Sequence, residues 1–313
     1  MEVSVKKRAK KIIGIVFGTL VVLIVAMLWY GLVMTYNENF DVRWTTDPDK
    51  QLYVSNFDGL SRSRYQFESN KGQTLTGYLY SAGDKNKKGI VVFAHGFGGG
   101  GHSNYMDHLN FFAQNGYYVF AYDATGNDES QGLGKNDGVG GLPQGVIDLN
   151  YAISFVEKSG NFPELPIVLF GHSWGGYSVS SVTKYHPEVK AVAECAGFYS
   201  SALMFQAEGK KLAGNAIYIL MPFLRIHEFL KYGKYAWANG AKGFSSTDAL
   251  VLIAHSKNDD TVPPEYGYDM YYKKFKDDPR FTFILYEDKG HSNLLDSEEL
   301  FKTILAMYDK AVK

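Results

Sequence analysis

The hydrophobic pattern divides the chain into two unequal parts. From Ile12 to Met34 there is an uninterrupted run without a charge, preceded by Lys6, Lys7, Arg8, Lys10 and Lys11 against a single acid, Glu2. As a helix rising about 1.5 Å per residue, the run reaches about 35 Å, enough to cross a hydrocarbon core of about 30 Å with some tilt. Trp29, Tyr30 and Tyr36 stand at its far end, where interfacial aromatics collect. The pattern predicts a basic cytoplasmic segment at 1–11, a transmembrane signal-anchor helix at 12–34 and a connector at 35–60. Positive charge on the N-terminal side predicts a single-pass cell-membrane protein with a cytoplasmic N-terminus and everything after the span outside the cytoplasm. The rival is a cleaved signal peptide. The run exceeds the apolar core of such a peptide, about 7–15 residues, and no small-x-small cleavage pattern follows it.

Beyond residue 60 the period changes. Short β-type apolar runs at 64–69, 74–80, 89–94, 117–122, 166–170, 189–193, 249–254 and 281–286 alternate with helical stretches near 103–115, 143–158, 174–186, 264–276 and 296–311. Asn70-Lys-Gly72 between the first two runs reads as a hairpin turn. Continuously apolar strands alternating with helices predict an α/β fold with a mostly parallel central sheet covered by helices on both faces. The stretch at about 198–248 breaks the rhythm. It is too long for an ordinary connection and too apolar for a solvated loop, so it reads as a helical insertion.

Composition excludes several classes. The chain has 313 residues, 45% of them hydrophobic, with 32 basic and 33 acidic side chains and a net charge of −1. A disordered charged tail or a phosphate-tracking nucleic-acid binder would be far from neutral. One cysteine, Cys195, excludes an internal disulfide and a multi-cysteine metal site, and it reads as a small buried hydrophobe. No H-E-x-x-H or comparable spacing occurs among the eight histidines, so no metal is expected. Gly96-Phe-Gly98-Gly-Gly-Gly101 formally meets a dinucleotide-binding pattern, with Asp123 at a later strand end. A run of glycines satisfies that pattern cheaply, and no cofactor is expected.

The sharpest chemical signal is Gly171-His172-Ser173-Trp174-Gly175, directly after one strand and directly before a helix. It fits the G-x-S-x-G elbow, whose glycines permit a strained turn that lifts the serine hydroxyl above the sheet edge. A serine hydroxyl needs a base, and the base needs a group to orient it. Downstream, the strand at 249–254 leads into Asp259-Asp260, and the strand at 281–286 leads to His291. Both lie beyond strand carboxyl ends, at the edge that carries the serine, in the order serine, acid, histidine.

With these motifs the chain resembles the α/β-hydrolase superfamily over roughly 61–313. His95-Gly96-Phe97 is similar to the family's oxyanion segment, and the stretch from Asp123 through Gly126 and Ser130 to Gly132 resembles its Asp-x-x-Gly-x-Gly-x-Ser segment, with Asn127-Asp128 at the usual second-glycine region. Asp259-Asp-Thr-Val-Pro263 resembles the acid loop, introduced here by His255-Ser256 instead of His-Gly. The resemblance implies Ser173 as nucleophile, His291 as general base and acid, and Asp259 as the acid that holds the imidazole, with Asp260 the competing choice. It implies an oxyanion hole from the backbone N–H groups of Phe97 and Trp174. His95 is expected to order the oxyanion loop. His172 is expected to be fixed in the elbow and poorly aimed at the hydroxyl.

The insertion falls where such hydrolases carry a cap. It holds Lys210, Lys211, Arg225, Lys231, Lys234 and Lys242 against Glu208, Glu228 and Asp248, among apolar residues such as Phe205, Phe223 and Phe229. An apolar surface with a basic fringe fits an acyl chain or an anionic membrane surface. The sequence therefore predicts a membrane-anchored serine hydrolase cleaving carboxylic esters of small-molecule or lipid type. A peptidase or amidase of the same fold is the alternative, followed by a non-catalytic binding protein on a hydrolase scaffold.

Overall fold

The structure is a computed structural model describing residues 2–49 and 51–313; Met1 of the expected basic segment and Lys50 of the expected connector lie outside the described residues. Eight strands form one sheet: β1 Ser61–Glu68, β2 Thr74–Ser81, β3 Gly89–Ala94, β4 Tyr117–Tyr122, β5 Ile167–His172, β6 Ala191–Cys195, β7 Leu250–Ser256 and β8 Phe281–Tyr286. Their order is β1-β2-β4-β3-β5-β6-β7-β8. Only β1–β2 and β2–β4 pair antiparallel; every other pair is parallel. The helices are α1 Glu2–Phe40, α2 Met106–Gln114, α3 Pro143–Lys158, α4 Trp174–Val182, α5 Ser201–Ala213, α6 Ile217–Tyr232, α7 Gly240–Phe244, α8 Tyr268–Phe275 and α9 Glu298–Ala311.

The two faces explain why the strands read as unbroken apolar runs. Ile90 and Val92 point into the layer containing Val146 and Leu149 of α3 and Val179 of α4. Val91 and Phe93, one residue out of phase, point into the layer containing Leu109 and Phe112 of α2 and Ile304 and Tyr308 of α9. With both layers closed, the period of two disappears from the sequence. Between β1 and β2, the Ser69 N–H donates to the Gln73 carbonyl, and Gly72 takes φ +79°, a value that favours glycine. The long segment between β6 and β7 is folded as α5, α6 and α7, and Pro222 lies inside α6 without ending it.

Helix α1 is longer than the expected span. It continues to Phe40, into the stretch expected to be connector, because Leu32, Tyr36 and Phe40 repeat every fourth residue and bury one stripe against the cluster that includes Phe205 and Leu224. Earlier in the same helix, apolar side chains including Ile13, Phe17, Val22 and Met27 are exposed, and the stretch Lys6–Phe40 is long and apolar enough to cross a membrane. The residues after α1 are bonded to the body. Trp44 N–H donates to the Gly126 carbonyl at 3.0 Å, Thr46 donates through N–H and Oγ1 to the Asp128 carboxylate, and Arg43 pairs with Asp137 at 2.7 Å.

Candidate active site

The turn from β5 to α4 carries Ser173 with φ +57° and ψ −115°, a conformation that costs an L-residue strain. It is held from both sides: the Ser173 N–H donates to the Cys195 carbonyl at 2.8 Å, and its carbonyl accepts from Tyr177 N–H at 3.0 Å. The flanking glycines are steric requirements. A Cβ on Gly171 would collide with the Gly175 backbone, and a Cβ on Gly175 would collide with the Ala94 carbonyl. One on Gly176 would meet the Gly197 Cα at 2.8 Å. Ser173 is 9% exposed and opens into a cavity of about 680 Å³ that His291 and Phe97 also line.

His291 Nδ1 lies 2.8 Å from Asp259 Oδ2. The other carboxylate oxygen accepts the N–H groups of Thr261 and Val262 at 3.0 and 2.8 Å. His255 Nε2 donates to the Val262 carbonyl at 2.8 Å and stands 3.4 Å from Asp259 Oδ2, so the acid lies between two imidazoles. Burial pushes the Asp259 carboxyl up, but the His255 and His291 hydrogen bonds and the His291 charge outweigh it and hold the group well below the usual carboxylate range. Asp259 is 2% exposed, whereas Asp260 is exposed and uses its carbonyl to accept from Lys211 Nζ at 3.0 Å. Of the two competing acids, the imidazole meets Asp259. The Ser256 hydroxyl donates to the Lys289 carbonyl, tying the loop that carries His291 to the end of β7.

Trp174 is the first residue of α4, and the N–H groups of a helix's first turn have no partner within the helix. Phe97 follows β3, and its ring lies edge-on to Trp174 with centroids 5.5 Å apart. His95 orders this loop: Nδ1–H donates to the Gly96 carbonyl at 2.7 Å, and Nε2 accepts the Ala124 N–H at 2.9 Å. Burial lowers its pKa, which suits a neutral ring with one donor and one acceptor.

His172 has a larger part than the sequence indicated. The Gly96 N–H donates to the Tyr105 hydroxyl at 3.0 Å, the Tyr105 O–H donates to His172 Nδ1 at 2.9 Å, and His172 Nε2–H donates to the His291 carbonyl at 3.0 Å. The direction follows from the carbonyl at the far end, which can only accept. Burial and the neighbouring His291 push the His172 pKa down to about 3, so the ring is neutral. One relay thus links the loop after β3, the elbow and the histidine loop. No sequence signal marks Tyr105, because its pairing with His172 joins segments 67 residues apart, whereas the His255 contact is local, four residues before Asp259.

The glycine loop after β3 is turned toward carboxylates. Gly101 N–H donates to Asp128 Oδ2 and His102 N–H to Asp123 Oδ1, at 2.8 and 3.0 Å, so these donors are occupied by negative groups. Cys195 is buried, which pushes its thiol up. Among the described residues, Glu157, His186 and Glu188 converge at the opposite edge of the sheet, where His186 Nδ1 bonds Glu188 at 2.8 Å. They take no part in the Ser173 cavity.

The strand order, the elbow after β5 and the parallel sheet define an α/β-hydrolase fold. Residues 85–232 match the family model for serine aminopeptidases, S33. The caffeoylshikimate esterase of Arabidopsis thaliana is 29% identical over 133 residues, 42% of this chain. The matched stretch spans 39% of that protein's length. Among solved structures, the Pyrococcus furiosus esterase Pf2001 superposes with a TM-score of 0.66 at 14% identity, covering 87% of this chain and all of that one. Acetyl xylan esterase 1 from Thermoanaerobacterium sp. JW/SL YS485 gives 0.59 at 17%, covering 92% of this chain and 93% of its own. The acylaminoacyl peptidase of Pyrococcus horikoshii gives 0.61 at 17%, covering 83% of this chain and 43% of its own.

Proposed function

We propose that the protein is a membrane-anchored serine hydrolase that cleaves carboxylic esters. The observation that carries this reading is the 2.8 Å Asp259–His291 contact at the mouth of the cavity into which the strained Ser173 turn opens. His291 removes the Ser173 proton as Oγ attacks the ester carbonyl, and Asp259 fixes the tautomer and stabilises the imidazolium. The tetrahedral oxyanion is held by the N–H groups of Phe97 and Trp174. Collapse expels the alcohol, protonated by His291. Water activated by the same imidazole then releases the acid and restores Ser173.

Two features argue against cleavage at or beyond the end of α1. Leu32, Tyr36 and Phe40 form part of the core, and Tyr36 OH lies 3.4 Å from Glu228 Oε1 in α6. Cleavage beyond Phe40 would strip side chains that the body needs.

A second reading, a peptidase or amidase acting on a free amino group, is favoured by one observation. Asp47, Asp107 and Asp296 all line the catalytic cavity, where carboxylates would hold a substrate ammonium. The test is labelling with a fluorophosphonate serine probe, wild type beside Ser173→Ala, followed by p-nitrophenyl esters against aminoacyl p-nitroanilides. Labelling that persists in Ser173→Ala overturns the nucleophile. Turnover of the anilides alone transfers the assignment to the peptidase reading.

A further inference from the structure

A second cavity adjoins the first. It has a volume of about 780 Å³, within the range of about 300–1,000 Å³ usual for small-molecule sites. One wall is the end of the membrane helix, through Leu32, Thr35, Asn39 and Phe40. The opposite wall is α5 and the start of α6, through Met204, Phe205, Leu212 and Ile217. Phe97 lines both this cavity and the one that contains Ser173. Its ring packs 6.2 Å from Phe40 on one side and 5.5 Å from Trp174 on the other. The Ser173 side of Phe97 is bordered by Asp47, Asp107 and Asp296, and the far side mainly by apolar residues.

We infer that the far cavity is the acyl-chain subsite for a single-chain lipid ester, that the anchor helix forms one of its walls, and that the chain enters from the bilayer. This rests on Ser173 as nucleophile and on α1 as a membrane span. The occupant follows from polarity: a substrate whose carbonyl lies at Ser173 meets a polar compartment on one side of Phe97 and an apolar one on the other, so its two ends differ in the same way. The route follows from the neighbours. Helix α6 packs beside the end of the span, where its His227 ring lies 6.1 Å from Trp29 and 4.9 Å from Tyr36. On α6 itself Ile219, Ile226, Phe229 and Leu230 are exposed, the last at 72%. Apolar side chains beside a span belong at the level of the headgroup and acyl boundary, where a lipid chain is already held.

The experiment uses the full chain in phospholipid nanodiscs with p-nitrophenyl acetate and p-nitrophenyl decanoate. Thr35→Trp and Leu212→Trp place a large ring at the exposed rim of the far cavity, outside the core. Each is expected to lower kcat/KM on the decanoate at least about tenfold while leaving the acetate within about twofold, because only the long chain needs the blocked volume. Equal losses on both esters, or none on the decanoate, overturn the subsite. A separate readout does not require turnover. A monoacylglycerol with a diazirine near the chain terminus is photolysed with Ser173→Ala protein, and the adducts are mapped. Label on Met204 or Phe205 of α5 that disappears in Leu212→Trp supports the subsite; label confined to residues 12–28 overturns it, as does replacement of lipid adducts by crosslinks between two copies. If wild type cleaves neither ester, the hydrolase reading fails while the crosslinks still decide the pocket.

Discussion

His172, next to the elbow serine in sequence, donates from Nε2 to the carbonyl oxygen of His291, 119 residues further along, at 3.0 Å. Their rings lie 4.9 Å apart. The proposed base is thus held at its side chain by Asp259 and at its backbone by a ring that burial keeps neutral.

His172→Phe should therefore lower kcat by about 10²-fold, the scale set by misplacing a catalytic group by about 1 Å, with KM nearly unchanged. His172→Gln, which can still donate an N–H, should recover part of the loss. An unaltered kcat in His172→Phe would show that the ring only fills space.

The two neighbouring acids should separate cleanly. Asp259→Asn should reduce kcat by about 10³–10⁴-fold, as expected when the imidazole loses its orienting carboxylate. Asp260→Asn should stay within about twofold. The reverse order in steady-state ester hydrolysis would move the acid by one residue.

The sequence made this loop legible as an acid loop but could not separate adjacent aspartates, because the choice depends on which carboxylate turns inward after β7. The sheet was readable because each buried strand carries an apolar run bounded by turn residues, and the observed bounds differ from the expected ones by at most a few residues. The end of α1 was misjudged for a physical reason. Asn37 and Glu38 look like connector, yet they lie off the inner stripe of a helix that continues through Tyr36 and Phe40. The His172–Tyr105 relay was invisible, since a hydrogen bond between distant loops leaves no period in the chain.

Strain at Ser173 gives a stability prediction. Ser173→Gly should abolish turnover and raise the unfolding free energy by about 1–2 kcal/mol, because glycine adopts φ +57° without the penalty. Thermal melting of the two proteins in one membrane mimetic checks this, and a lower Tm in the variant would count against a strained elbow.

The N-terminal helix should not be freely separable. Removing residues 2–26 should leave an active, folded domain. Removing residues 2–40 also deletes the buried Leu32, Tyr36 and Phe40, each worth about 1.5–3 kcal/mol, and should give aggregation or a Tm lower by many degrees. Equal solubility and activity for both truncations would show that the last turns of α1 are dispensable.

Glu228 supplies a pH dependence. Burial pushes its carboxyl up to about 7, against hydrogen bonds from Ser201 and Tyr36. Its folded pKa lies above the unfolded value of about 4.3, so between those values the native state holds a proton that the unfolded state has released. Stability from this group is full below about pH 4 and falls as pH rises to 7. Glu228→Gln should flatten that slope, read from denaturant midpoints between pH 5 and 8. An unchanged slope would mean that the carboxylate ionises without cost.

The bonds from Arg43, Trp44 and Thr46 to the 126–138 loop leave no slack between the helix and the body. With the proposed span in place, the mouth of the site cannot wander into bulk solution, so the search for substrate becomes two-dimensional. Turnover would then follow the mole fraction of lipid in one leaflet and be slowed by inert diluent phospholipid, while the same total substrate dispersed in more water would make little difference.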